Sequence, residues 1–407
     1  MNHYPTRNTR PIVRPGLLIL LVLLAASGVG CGSGGCGGGR TVAEERAYRA
    51  ARATGPILIG VAADPEGSMW RGIRMAVEET NAAGGVLGRE LRVVQRYDES
   101  SVAKAKLVAQ QFARNLDIVA VIGHWGSDMA ISASATYEFA GLLMICPAAT
   151  SPKLTEQGFH LVFRTSPSNR RVGPRLAEFA ADQGYQRVMI VSARDAYGRG
   201  LGNVFEMRAA EAGITVVDRA SYQDGERNFE PLLADWGRLD FDAVFVAGTM
   251  PEAAHVVAQA RRVGVSRPVL GGEGLATDAL WEIAGEAAEG AMAAAYFHPA
   301  EPRPEVQRFT DDFRARYGAP PDVWAAQGYD AVRLLAHAME TAGTTVPEDV
   351  AAALRSMGPA SAASWTGVTG PHAFLKDGDV VGKPIVLTIM RDGRLAYHST
   401  LRPEEER

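Results

Sequence analysis

The chain has 407 residues, 47% of them hydrophobic and 22% charged, with a formal net charge of −4. That length and apolar content describe a globular protein with ample core, on the scale of two domains. The slightly acidic balance lacks the basic excess on which nucleic-acid binding depends, so no nucleic-acid partner is expected.

Arg7, Arg10 and Arg14 precede an uninterrupted apolar run, Leu17 to Ala26, which is followed by small residues and Cys31. This is the pattern of a secretory signal over residues 1–30, too short for a lasting membrane span. Gly28-Val29-Gly30-Cys31 resembles a lipoprotein processing site, at which the Cys31 thiol is acylated and becomes the new N-terminus. Gly28 departs from the larger aliphatic residue usual there, and plain cleavage near Ala26 is the alternative. Residues 31–56 then read as a Gly-rich tether in which Cys36 is incidental. Gly30, Gly32 and Gly35 satisfy the G-x-G-x-x-G spacing, but no strand precedes them and no helix follows, so a dinucleotide site fails on context. Thr41 to Thr54 is polar and Ala-rich, suited to a short helix, and the globular part begins near Ile57.

From there strands and helices alternate. Ile57 to Ala63, Leu91 to Tyr97, Ile118 to Ile122 and Leu142 to Cys146 read as strands, the last two as buried parallel ones. Helical spacing lies between them, in Trp70, Ile73, Val77 and Thr80 and again in Ala105, Val108 and Phe112. Phe163 to Asn169, rich in Ser, Pro and Asn, reads as a connection. The pattern then restarts with Val188 to Ser192, Thr215 to Val217, Ala243 to Ala247 and Pro268 to Leu270. Two successive series of this kind imply an α/β protein of two doubly wound, Rossmann-like lobes rather than one wide sheet.

Two polar loops follow the third and fourth strands. Ser127 reads as the N-cap of a helix starting near Asp128, and Ser151 with Pro152 as the N-cap and first residue of another. A helix N-terminus offers unpaired N–H groups and a positive dipole end, so the Ser127 and Thr150 hydroxyls beside it suit a carboxylate, with plain capping as the alternative. Asp128 favours its helix dipole. Cys146, after four apolar residues, reads as a small core hydrophobe, and His124 as a structural group without a second ligand at metal spacing. After the Pro268 to Leu270 strand comes Glu273, where Gly271, Gly272 and Gly274 allow close approach of a ligand. Its carboxylate suits an α-ammonium, the alternative being a solvated loop acid. No G-x-S-x-G, no H-E-x-x-H and no paired catalytic spacing occurs, so neither an enzyme nor a cofactor is expected.

The segments ILIGVAADPEG, TNAAGGVLGREL, VIGHWGS, LLMICPAATSPKLTEQGF, FRTSPSN, DAYGRGLGNVF, GGEG and GYDAVRLLAHA resemble, across most of the chain, the type I periplasmic binding proteins of the branched-chain amino acid family, solute receptors of ABC transporters. The resemblance implies two lobes joined by three hinge crossovers near Ser168, Tyr296 and Asp377. Residues 57–168 plus 297–376 would form one lobe, and 169–296 plus 377–400 the other. It also implies that Ser127, the backbone at Ala148 and Thr150 hold a ligand carboxylate, with Tyr197 and Glu273 closing over it. Ser101 and Gly126 stand where some relatives carry a disulfide.

Departures from the family pattern concern specificity. Thr249 and Met250 replace an aromatic residue after the strand Ala243 to Ala247, and the loop Asp64 to Ser68 is short. Trp70, Trp125 and Thr249 are therefore candidates for the side-chain pocket, with a core position as the alternative for Trp70. The function expected from the resemblance is capture of a small polar solute, an amino acid or analogue, by a monomeric receptor that hinges shut and delivers it to a membrane permease. It would work outside the cytoplasm, anchored through Cys31. A sensory module of the same fold is the alternative, and a secreted enzyme a remote one.

Overall fold

A computed structural model describes residues 39–359, 361 and 364–401, so the signal segment and Cys31 lie outside the described residues. The first helix, α1 (Val42–Ala50), carries a capping box in which Thr41 and Glu44 satisfy each other's backbone N–H groups. Arg46 projects from it and is fully buried. Its guanidinium donates to the carbonyls of Ile118, Ala140, Ala113 and Asn115 at 2.9, 2.5, 2.7 and 3.3 Å. A buried cation is tolerated here because carbonyl oxygens replace its water, although burial lowers its pKa to about 10.

The first lobe follows as β1 (Ile57–Ala62), α2 (Ser68–Ala82), β2 (Leu91–Arg96), α3 (Val102–Arg114), β3 (Ile118–Gly123), α4 (Ser127–Phe139), β4 (Leu143–Cys146) and β5 (Val162–Arg164). Its five parallel strands lie in the order β2-β1-β3-β4-β5. β3 and β4 are buried at every residue, which is why they read as continuous apolar runs with helices on both faces. Phe163 and Arg164, expected to begin a connection, instead belong to β5 at the sheet edge, and only residues 165–168 are the link.

The chain then crosses to α5 (Asn169–Asp182) and a second βα series. This comprises β6 (Arg187–Ala193), α6 (Ala196–Glu211), β7 (Thr215–Tyr222), α7 (Glu230–Trp236), β8 (Ala243–Ala247), α8 (Glu252–Arg262), β9 (Val269–Gly271), α9 (Ala279–Ala284) and β10 (Met292–Ala295). β7 runs five residues past its expected end. Most of its side chains are only partly covered, so apolar content marks its start and not its finish.

α10 (Pro304–Tyr317) and α11 (Val323–Ala342) lead back, α11 lying along α2, and α12 (Pro347–Ser356) follows. Val306, Phe309 and Phe313 of α10 share an apolar cluster with Phe205, Phe245 and later Leu387, on the second-lobe side. β11 (Trp365–Gly367), β12 (Gly370–Phe374) and β13 (Val380–Val381) make a small antiparallel sheet. A third passage then brings β14 (Ile385–Arg391) and β15 (Arg394–Leu401) into the second sheet. Its seven strands lie in the order β15-β14-β10-β9-β8-β6-β7, with β14 antiparallel to β10. At that third passage Lys383 is buried. It donates to Thr369 Oγ1 at 2.5 Å, and Thr369 donates in turn to Asp330 of α11 at 2.5 Å.

Candidate functional site

Strand order decides where the site lies. In the first sheet the chain leaves β1 for β2 on one side and β3 on the other; in the second it leaves β6 for β7 and β8 in the same way. Loops at the carboxyl ends of such neighbours diverge and leave a crevice. Here the two crevices face one another across a cavity of about 630 Å³. Trp125, Ser127, Ala148 and Thr150 line it from the first lobe, and Tyr197, Thr249 and Glu273 from the second. These expected site residues are therefore brought together. Trp70 is not: it packs against the first-lobe core with the helical stripe of α2, so its assignment to the side-chain pocket is corrected.

The N-cap expected at Ser127 needs correction. Gly126, in extended conformation, is the N-cap of α4, and Ser127 is its first helical residue. The Ser127 hydroxyl instead accepts from the Ser151 N–H at 3.2 Å, tying the loop after β3 to the loop after β4. Ser151 is the N-cap and Pro152 the first helical residue, as expected, but Ser151 makes no side-chain cap bond, and Pro152–Leu154 is a single 3₁₀ turn without the aligned dipoles of a long helix. Anion attraction in this lobe thus falls to α4 and to loop N–H groups. Arg164 holds the second loop from beneath, donating to the Ser151 carbonyl at 2.6 Å and to Asp379 Oδ1 at 2.7 and 2.9 Å.

Glu273 opens a short 3₁₀ turn after β9 and is 4% exposed. Thr150, from the opposite lobe, donates to its Oε1 at 3.0 Å, and Tyr296 to its Oε2 at 2.8 Å. Burial raises the Glu273 pKa, while its own backbone N–H and the Tyr296 and Thr150 hydroxyls act in the opposite direction. Among the described residues no cation stands within ion-pair distance of this carboxylate. Tyr197 lies over Gly272, where any side chain would meet its hydroxyl, and accepts from the Gly274 N–H at 3.3 Å. A buried acid aimed between two lobes with only neutral donors around it is built for a positive group.

Asp128 lies in the first turn of α4, where its charge favours that helix dipole as expected, and it also serves a second helix. Its Oδ2 accepts from the N–H of Ala196 at 3.1 Å, at the start of α6 in the other lobe. Asp195 caps the same helix through Gly198 at 2.6 Å. Burial, and then the nearby Asp128, raise the Asp195 pKa.

Three residues of the cleft escape sequence reasoning. Trp324, at the start of α11, meets Trp125 edge-on with ring centroids 5.6 Å apart, and both line the cavity. Tyr296 follows the small-residue strand β10, and a lone aromatic after Ala-Ala-Ala was the available signal. Tyr222 ends β7, whose length the sequence did not reveal. His124 has a structural place, with Nδ1 2.5 Å from Asp98 Oδ2 and Nε2 2.8 Å from the Tyr137 hydroxyl. Cys146 is buried and its Sγ lies 3.4 Å from the His124 carbonyl.

Comparison with known proteins agrees with this architecture. Residues 58–394 match the family model described as periplasmic binding protein. The leucine-, isoleucine-, valine-, threonine- and alanine-binding protein of Pseudomonas aeruginosa is 31% identical over 316 residues, covering 77% of this chain and 83% of that protein. The Leu/Ile/Val-binding protein of Escherichia coli is 31% identical over 317 residues, covering 76% and 82%. Among solved structures, an ABC transporter substrate-binding protein of Desulfitobacterium hafniense in complex with Leu is 40% identical with a TM-score of 0.75, covering 84% of this chain and 100% of that one. A leucine-binding protein of Thermotoga maritima is 28% identical with a TM-score of 0.80, covering 86% and 99%. With two doubly wound sheets facing one cleft and relatives matched along most of its length, the chain belongs to the type I periplasmic binding proteins, in the branched-chain amino acid family of ABC-transporter solute receptors.

Proposed function

We propose that the protein captures an amino acid in the cleft, by its ammonium at Glu273 and its carboxylate at Ser127, Thr150 and the Ala148 backbone. The observation that carries this reading is the buried Glu273, hydrogen-bonded across the cavity to Thr150 but facing no cation. An ammonium there gains a charge-assisted hydrogen bond in a dry site, where such a bond is strongest. Relatives named as binding leucine, isoleucine, valine, threonine and alanine, or bound to leucine, support the class.

The lobes, as the sequence divides them at 57–168 plus 297–376 and 169–296 plus 377–400, close as rigid bodies over the ligand. α10 rides on the second. The closed form is then offered to an ABC permease by a monomeric receptor. Calorimetry with amino acids should detect binding, and the radius of gyration should fall when a saturating amino acid is added. No heat with any amino acid, or scattering curves that superimpose, would sink the reading.

As a periplasmic binding protein the chain works outside the cytoplasm. We further propose a membrane anchor through acylated Cys31, from the basic, apolar and small-residue series before it. Intact-mass spectrometry of the native protein should find an acylated N-terminal Cys31, and an unmodified or absent Cys31 would overturn the proposal.

A further inference from the structure

Beyond Thr249 the cavity continues to a part of the second lobe that the zwitterion contacts do not use. Tyr222 lines it there, 7% exposed, and its hydroxyl has no hydrogen-bond partner among the described residues. An unpaired buried hydroxyl is costly, so a polar group left in this way at the wall of a ligand cavity points to a partner that arrives with the ligand. The hydroxyl lies over Gly248, where any side chain would displace it. The Gly248 carbonyl in turn lies over Gly274, next to Glu273. This end therefore sits one backbone width from the ammonium site.

Its charge is one-sided where it is buried. Asp195, Asp224 and Glu252 line the same end and all bear electrostatically on Tyr222. Glu252 is buried and spends one oxygen on the Gly225 N–H at 2.9 Å; Asp195 is half-buried and spends one on Gly198. Among the described residues none of the three has a cation within ion-pair distance. Two guanidiniums also border the cavity, but Arg194 and Arg199 are exposed and solvated, and Arg194 donates to Ser221 at 3.1 Å.

We propose that Tyr222, Asp195, Asp224 and Glu252 form a second subsite for a cationic side-chain terminus, so that the preferred ligand is a basic amino acid carrying an amino or guanidino group. The proposal rests on the reading of Glu273 as the α-ammonium contact. With that end fixed, a linear side chain passes Thr249 and places its terminal N–H groups against the unused carboxylate oxygens and the Tyr222 hydroxyl. An aliphatic side chain would leave the Tyr222 hydroxyl and the free oxygen of Glu252 dry and unpaired.

Calorimetry with leucine, glutamine, lysine and arginine tests this on the wild-type protein and on Tyr222→Phe, Glu252→Gln and Asp224→Asn. Lysine or arginine should bind at least about tenfold more tightly than leucine, and each variant should cut that affinity about tenfold while leaving leucine within about twofold. Asp224 is exposed and makes no hydrogen bond that the fold needs, so its variant keeps the test open if another fails to fold. Leucine binding as tightly as lysine and arginine would overturn the subsite, as would variants that weaken all ligands equally. Glutamine matching lysine would overturn its cationic character. Absence of binding by all four would instead overturn the zwitterion reading of Glu273.

Discussion

Glu273→Gln is expected to weaken amino-acid binding by at least tenfold, and Ser127→Ala to weaken it less. The glutamine keeps the shape of the side chain and can still meet the Thr150 and Tyr296 hydroxyls. It removes the buried negative charge that faces Thr150, and a buried hydrogen-bonded charge pair that loses one partner costs about 2 to 5 kcal/mol. Ser127 contributes a neutral hydroxyl, and a neutral hydrogen bond is worth about 0.5 to 1.5 kcal/mol. Its loss also frees the Ser151 N–H, which remains able to meet a carboxylate.

The same carboxyl sets a pH dependence. Burial raises its pKa, so affinity for a zwitterion should fall as pH drops through that raised value, earlier than for a solvated carboxylate. Stability of the free protein has the opposite sign. Between the ordinary and the raised value the folded chain holds a proton that the unfolded chain has lost, so this group's contribution declines as pH rises through the window. Glu273→Gln should flatten both dependences. Calorimetry that finds Glu273→Gln as tight as wild type, with Ser127→Ala much weaker, would mean that no ammonium sits at that end.

Asp128→Ala should weaken every ligand by a similar factor, roughly tenfold, and chiefly through faster dissociation. Asp128 accepts a hydrogen bond from the first turn of α6 in the opposite lobe, so this bond exists only when the lobes are together as they are here. A carboxylate at a helix N-terminus is worth about 0.3 to 1 kcal/mol when exposed and up to about 2 kcal/mol when partly buried. A hydrogen bond to a charged group is worth about 1.5 to 3 kcal/mol. Repulsion from Asp195 takes back part of that gain, and the Asp195 pKa should fall in the variant. Asp128→Asn, which keeps an acceptor oxygen without the charge, should lie between. Stopped-flow dissociation rates check this; a loss confined to one ligand would mean that Asp128 touches ligand instead of holding the lobes together.

Much of the scaffold was legible because burial on both faces writes a parallel strand as an unbroken apolar run. Ile118 to Ile122 and Ala243 to Ala247 were readable for that reason, whereas the polar second half of β7 was not. The loops of the site were legible as positions after strands, but the use of each hydroxyl was not. Whether Ser127 caps its own helix depends on the backbone angles of Gly126, and its actual partner, Ser151, is set by how two loops pack. Asp128 shows the same limit more sharply, since besides its own α4 it serves a helix that begins at Ala196 in the other lobe. Trp70 was misplaced and Trp324 missed for one reason: helical spacing tells that a tryptophan faces something apolar, not whether that is a core or a cleft.

Arg46 bears on how the molecule moves relative to whatever holds its N-terminus. Four backbone carbonyls of the first lobe clamp a guanidinium that belongs to the entering helix, so α1 is bolted to that lobe and, among the described residues, has no such tie to the other. Tension applied ahead of Thr41 is carried into the frame of β3 and the ends of α3 and α4. The first lobe is then the stator and the second the rotor. On the proposed closure, Ser127 and Thr150 would keep a fixed distance from Thr41, while Glu273 would sweep toward them.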